Sequence, residues 1–345
     1  MAQAADAALR AVGFDADRQC LTLAGRTVVL EVAGSQLAAA LAPAFAHLRQ
    51  RPQGEPPGEL RITVWDEKEV GVALADADLT ALDGEHWEVR AGTLATTRDA
   101  RHVVFRTPSS LYWLDRSERR IVGWVASTAD LTLAERGKPF ELLLAIWHHD
   151  RGVPILHAGC ISVADRGALV VGRSGSGKST TCLACLRHGF GYLGDDQVGL
   201  EEQPDGGWAA HSVYAAAWVE ASHAQRFPHI VPTSAALHRR ADDKLMVPLV
   251  DSSRDRIRRW AGIDVLLAPS IVPGGGGTLV PLSPGQMLLH LTPSVMLGSL
   301  PRPDRAMFDR LARLANAVPA FRLEIGEELT TIPTAVAHAL DGLDQ

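Results

Sequence analysis

The octapeptide Gly172-Arg173-Ser174-Gly175-Ser176-Gly177-Lys178-Ser179 constrains this chain more than any other stretch. It has the form GxxxxGK[ST] and lies between an apolar strand-like segment, Ala168 to Val171, and a segment that reads as a helix from near Lys178. A strand, a glycine-rich turn and a helix start, in that order, make a concavity of backbone N–H groups suited to phosphate oxygens. Glycines are needed where a Cβ would clash with the bent backbone or with the anion. Lys178 is the residue that reaches the outer phosphates and Ser179 the one that ligates Mg²⁺, while Arg173, Ser174, Ser176 and Thr180 complete the lining. Only four lysines occur in 345 residues, so a chance match with correct flanks is remote. Nucleotide binding is the expectation.

Bulk properties narrow the class further. The 46% hydrophobic and 21% charged content belongs to a globular chain long enough for two domains or one large one. A formal net charge of −6, without a dense basic stripe, gives no reason to expect a nucleic-acid partner. No run of 18 apolar residues occurs, so no membrane helix is expected. The N-terminal stretch has no basic start followed by an apolar core, and the expected location is the cytoplasm. Of the four cysteines, Cys182 and Cys185 fall in the helix after the glycine loop and read as small core residues. His157 with Cys160 is the only nearby pair that could complete a metal site with them.

Residues 1–150 read as a β-rich α+β module. A hairpin spans Leu21 to Val32, an Ala-rich helix interrupted by Pro43 spans Ser35 to Arg49, and a strand Leu60 to Trp65; shorter strands follow at 87–90, 102–106, 111–114 and 121–125. The Pro/Gly segment Arg51 to Glu59 cannot hold regular structure. Trp65, Trp87, Trp113 and Trp124 read as core. A helix over Pro139 to Asp150 delivers the chain to an α/β module, 151–345. There the expected elements are a strand Ile155 to Val163, the strand before the glycine loop, a helix to Gly189, and strands at 190–194, 198–202 and 263–272. Helices over 284–291 and 304–317, a strand 321–325 and a helix 334–343 close it. His211 to Pro248 has only weak periodicity, and Gly274 to Gly277 reads as a turn or loop.

Asp195 follows Lys178 by 17 residues, the span of a helix and a strand, which returns Asp195 and Asp196 to the phosphate end of the sheet. Adjacent carboxylates there can divide the labour, one holding Mg²⁺ and the other accepting a proton. His157, on the preceding hairpin, can lie beside them and orient one carboxylate.

These residues at these intervals resemble the catalytic core of HPr kinase/phosphorylase and, more closely, its relatives in peptide natural-product pathways, including lasso-peptide precursor kinases. The match rests on His157 with Gly159, the loop Gly172 to Ser179, the helix ending in Arg-His-Gly189, and Asp195-Asp196. It is strong from His157 to Val198, loose over most of 151–345, and absent from the N-terminal module. The resemblance implies a fold related to phosphoenolpyruvate carboxykinase and Mg²⁺-dependent transfer of the ATP γ-phosphoryl to a hydroxyl. It implies Asp195 as the general base and Asp196 at the metal. The basic, proline-ended segment Arg239 to Pro248 resembles one in the relatives, which makes Arg240 and Lys244 candidate phosphate contacts.

The family's signature segment after the acidic pair is missing. His211 to Pro228 stands in its place, which argues against the carrier protein as substrate. The expected activity is therefore ATP-dependent phosphorylation of a serine-type hydroxyl on a peptide or protein, such as a ribosomal precursor peptide, with the N-terminal module a candidate for substrate recognition. A nucleotide-binding regulator without transfer activity and a small-molecule kinase are the alternatives, and a homo-oligomer is compatible with either. A transporter ATPase fits poorly: Leu282-Ser-Pro-Gly-Gln286 echoes the signature of that class, but no acid-ended strand follows.

Overall fold

The computed structural model describes residues 1–13, 16–50, 58–74, 82–89, 92–231, 244–295 and 305–342. The chain divides into two compact units, Met1–Trp147 and His148–Gln345. Both are mixed α/β with a large sheet.

In the first unit, helix α1 (Ala2–Val12) precedes β1 (Asp17–Leu23), β2 (Arg26–Ala33), α2 (Ser35–Phe45), β3 (Leu60–Asp66) and the short α3 (Glu67–Val70). Then come β4 (His86–Val89), β5 (Gly92–Thr96), β6 (His102–Arg106), β7 (Ser110–Asp115), β8 (Arg120–Val125) and α4 (Leu133–Gly137). The eight strands form one sheet in the order β1-β2-β3-β8-β7-β6-β5-β4. Pairings β2 with β3 and β3 with β8 are parallel, and the others are antiparallel.

Helix α1 has no counterpart in the sequence expectations. Its small residues Ala5 and Ala8 pack onto Ala33, Trp65 and Val122. Helix α2 stops at Phe45, four residues early, and a 3₁₀ turn, Ala46–Leu48, follows. Pro43 deprives that last turn of an N–H donor. Of the four tryptophans only Trp65 is fully buried. Trp87, Trp113 and Trp124 are partly exposed, and Trp113 and Trp124 keep their indole N–H groups on His102 and Glu67.

Helix α5 (Glu141–His149) leads into the second unit. There β9 (Ile155–Leu156), β10 (Gly159–Val163), β11 (Arg166–Val170), α6 (Lys178–Arg187), β12 (Gly191–Gly194), β13 (Val198–Glu202) and β14 (Trp208–Ser212) follow. After them come β15 (Ala216–Glu220), β16 (Lys244–Pro248), α7 (Val250–Ser253), β17 (Trp260–Ile271), β18 (Thr278–Pro281), α8 (Pro284–Leu291), α9 (Arg305–Ala317), β19 (Ala320–Ile325) and α10 (Thr331–Asp341). The main sheet runs β12-β10-β11-β17-β14-β13-β9, with β19 on β17 and β18 on β19. The 12-residue β17 joins two half-sheets. Its start pairs antiparallel with β14 and its end pairs parallel with β19, while β11 runs parallel along its middle.

Alternation along the strands sorts the faces. Leu169, Val171, Leu266 and Ala268 pack on Met287 and Leu291 of α8 and Met307, Leu311 and Leu314 of α9. Helices α6 and α10 pack against the sheet and each other elsewhere in the unit. Cys160, Cys182 and Cys185 are all fully buried.

Three expectations are corrected here. The segment Ile155 to Val163 is two strands, not one. Strand β9 pairs with β13 and β10 with β11 and β12, so the chain crosses between strands at His157-Ala158. Within the weakly periodic stretch 211–248 lies a separate two-stranded sheet, β15-β16. Lys244 starts strand β16; Arg239 and Arg240 lie outside the described residues. Strand β18 was also not foreseen, because four residues after a glycine run give too short a pattern.

Candidate functional site

The glycine loop leaves the sheet in register, since the Val171 N–H still donates to Leu267 O (2.9 Å). Gly172, Gly175 and Gly177 then take φ of 138°, 79° and 106°, values L side chains rarely adopt. A Cβ at Gly177 would also stand 2.3 Å from Ile325 Cδ1, so that side chain would have to shift. Helix α6 begins at Lys178 with no side chain capping its first turn, so that cap is left to a ligand. Ser176 Oγ is buried in the loop without a hydrogen-bond partner.

The Lys178 side chain folds back on its own loop, with Nζ donating to Gly172 O (2.9 Å) and Arg173 O (3.2 Å). Burial pushes its pKa down, the Asp196 charge opposes this, and Lys244 adds to the depression. An ammonium held under a positive-φ loop beside an unsatisfied serine hydroxyl fits a bound polyphosphate.

The acidic pair is set by the tight exit from β12. Asp195 is 1% exposed and is held by donors from two elements. Tyr192 of β12 gives its hydroxyl to Oδ1 (2.8 Å) and Trp218 of β15 gives its backbone N–H to Oδ2 (3.2 Å). Burial, followed by the Asp196 charge, raises the Asp195 pKa to about 6, while nearby Ser179 of α6 and these two donors lower it. Asp196 faces the open side. Its Oδ1 lies 3.0 Å from His157 Nε2, and the two side chains are 18% and 30% exposed.

His157 sits in the crossing between β9 and β10, where its backbone N–H donates to Ser294 O (2.8 Å). Gly159, two residues on, explains how the strands close up. A Cβ there would meet Cys182 Sγ at 2.5 Å, Gly194 O at 3.2 Å and Asp195 Cα at 3.3 Å. Gly159→Ala is therefore expected to destabilise the second unit by about 1–3 kcal/mol through overpacking and to weaken nucleotide binding. Adding Cys182→Ala should restore much of both, as read by melting curves and nucleotide titration of the single and double variants.

These groups line one open cleft. It holds His157, Ser174, Gly175, Gly177, Lys178, Ser179, Thr180, Asp195, Asp196 and Lys244, and measures about 680 Å³ counting the space open to solvent. Gly172, Arg173 and Ser176 belong to the same loop, and the Arg173 charge is felt by His290, whose pKa burial and that charge push down. Strand β15 and the turn after it supply the facing wall, through Trp218, Val219, Glu220, His223 and Phe227. Sequence reasoning missed this wall and Tyr192. The only signal for Tyr192 is its place three residues before Asp195; the wall lies in the weakly periodic stretch 211–248, where β15 is buried at four successive positions and so shows no polar alternation.

Burial pushes the thiols of Cys160, Cys182 and Cys185 well above their ordinary pKa, and no group of three metal-ligating side chains exists among the described residues. No helix among them is long and apolar enough to cross a membrane.

No protein-family model matches the chain, and no curated protein matches it. Among solved structures, the Hpr(Ser) kinase/phosphatase from Coxiella burnetii is similar over 55% of this chain and 99% of that one, at 11% sequence identity and a TM-score of 0.32. A likeness that loose carries no argument about function.

Proposed function

We propose that the second unit is a Mg²⁺-dependent, ATP-using kinase of the HPr kinase/phosphoenolpyruvate carboxykinase-like type, which phosphorylates a serine-type hydroxyl on a peptide or protein. The observation that carries this reading is the convergence of Lys178, Ser179, Asp195 and the Asp196–His157 pair in one cleft. Nucleotide binding alone has no use for a carboxylate braced by an imidazole at the open edge of the phosphate site.

Mg-ATP, when bound, supplies the transferable phosphoryl group and a divalent charge. The loop from Gly172 to Thr180 holds the phosphates, and Lys178, released from the Gly172 and Arg173 carbonyls, neutralises charge on their outer oxygens. Ser179 and buried Asp195 line the cleft together, with Ser179 close enough to lower the Asp195 pKa, which makes them the metal-side pair. Asp196 faces the acceptor and takes its hydroxyl proton, with the His157 imidazole orienting the carboxylate and stabilising the protonated pair. The roles of the two aspartates are thus the reverse of those the family resemblance implies. Lys244, close enough for its charge to depress Lys178, adds a second cation to the transferring group.

The test is incubation of the whole chain with ATP, Mg²⁺ and a panel of serine-containing peptides, with mass spectrometry for a phosphate adduct. Adduct formation that needs both ATP and Mg²⁺ is the expected result. ATP binding with no transfer to any peptide, protein or small hydroxyl would overturn the kinase reading and leave a nucleotide-binding regulator.

A further inference from the structure

We infer that Tyr192 is a positioning residue for the divalent cation: its buried hydroxyl fixes the Asp195 carboxylate so that its remaining lone pairs face the cleft. This rests on the proposed function but concerns a residue that no part of that reading uses.

The geometry is specific. Tyr192 is fully buried in β12, and its backbone is clamped on two sides. It pairs with Ile161 of β10, and its carbonyl accepts from the Arg258 N–H at 2.8 Å, beside a bridge to Ile257. The ring cannot drift without breaking sheet contacts, so the 2.8 Å bond to Asp195 Oδ1 is anchored in the core.

Trp218 N–H holds the same carboxylate from the cleft wall, and Ser179 at the start of α6 stands near it. Both of those residues line the cleft. Tyr192 does not line the cleft, and it supplies the one bond that comes from behind. A carboxylate free to rotate about its Cβ–Cγ bond presents its oxygens to a cation only part of the time. A donor to Oδ1 on the core side removes that freedom before the ion arrives.

A packing tyrosine does not need this bond. A phenylalanine fills the same volume and leaves no hydroxyl to satisfy. Elsewhere in the chain Tyr112 makes a similar but longer bond, 3.4 Å to Glu135 Oε1, in the first unit, which provides a control.

The experiment is Mn²⁺ binding by full-length wild type, Tyr192→Phe and Tyr112→Phe. Free Mn²⁺ is followed by electron paramagnetic resonance in the presence of ATP, and ATP binding is measured separately in EDTA. For Tyr192→Phe the expected result is metal-free ATP affinity within about twofold of wild type and Mn²⁺ affinity about tenfold weaker, the loss typical of a hydrogen bond to a charged group. Tyr112→Phe should change neither. Unaltered Mn²⁺ affinity in Tyr192→Phe overturns the inference. An equal loss of metal-free ATP binding also overturns it, by making Tyr192 a packing residue. Wild type that binds no ATP in either condition would instead sink the functional reading.

Discussion

Replacing Asp196 by asparagine is expected to lower phosphoryl transfer about a thousandfold while leaving ATP affinity nearly unchanged. Asparagine keeps the shape and can still accept from His157 Nε2, now 3.0 Å from the carboxylate oxygen, but it cannot take a proton. General-base removal costs about 10²–10⁴ in rate, and the loss should fall on kcat. His157→Gln should produce a smaller loss in the same parameter, because the base survives without its orienting partner. Steady-state kinetics beside ATP titrations separate these effects. If Asp196→Asn kept its transfer rate and Asp195→Asn lost it with Mg²⁺ affinity intact, the aspartates would hold the roles the family resemblance implies.

Asp195→Asn should abolish Mg²⁺-dependent activity yet make the chain more stable at neutral pH. The Asp195 pKa is raised from 3.8 to about 6, with burial the first cause, so the folded protein keeps this proton to higher pH than the unfolded chain does. The resulting stabilisation is fully present below the unfolded value and is lost as pH rises through about 6. Above that, an ionised buried carboxylate weighs against the fold by about 3 kcal/mol. Asparagine stays neutral, so the stability gap between variant and wild type should widen in the variant's favour from about pH 4 to about pH 7. Its amide offers one acceptor to Tyr192 and Trp218 where the carboxylate offers two, which makes about 3 kcal/mol an upper figure. Urea unfolding across pH, in EDTA, is the measurement, and a gap that stays constant with pH would contradict the burial argument.

Much of the second unit was legible residue by residue. Strand β13 at Val198–Glu202 and helix α8 at Pro284–Leu291 have the expected bounds, because each is delimited by local chemistry: a turn at Pro204 to Gly207, and a Ser283 capping box followed by proline. The break at His157 was not legible. Ile155 to Val163 is apolar on both sides of it, and only the pairing of β9 with β13 separates the two pieces. The pairing of β15 with β16 was not legible either, because β15 is buried at four successive positions and shows no polar alternation.

Eight consecutive residues are enough to specify the glycine loop, since its positive-φ glycines and the helix start at Lys178 are local features. The sequence by itself also determined that Asp195 and Asp196 return near that loop, because one helix and one strand lead back to the same end of a sheet. How the two aspartates differ depends on packing between distant elements. Neighbours in sequence, they point into different surroundings: one onto buried donors from Tyr192 and Trp218, the other toward His157 and the open cleft. The charge and access of a carboxylate depend on what packs around it, and those groups come from strands and a helix whose meeting no local pattern encodes.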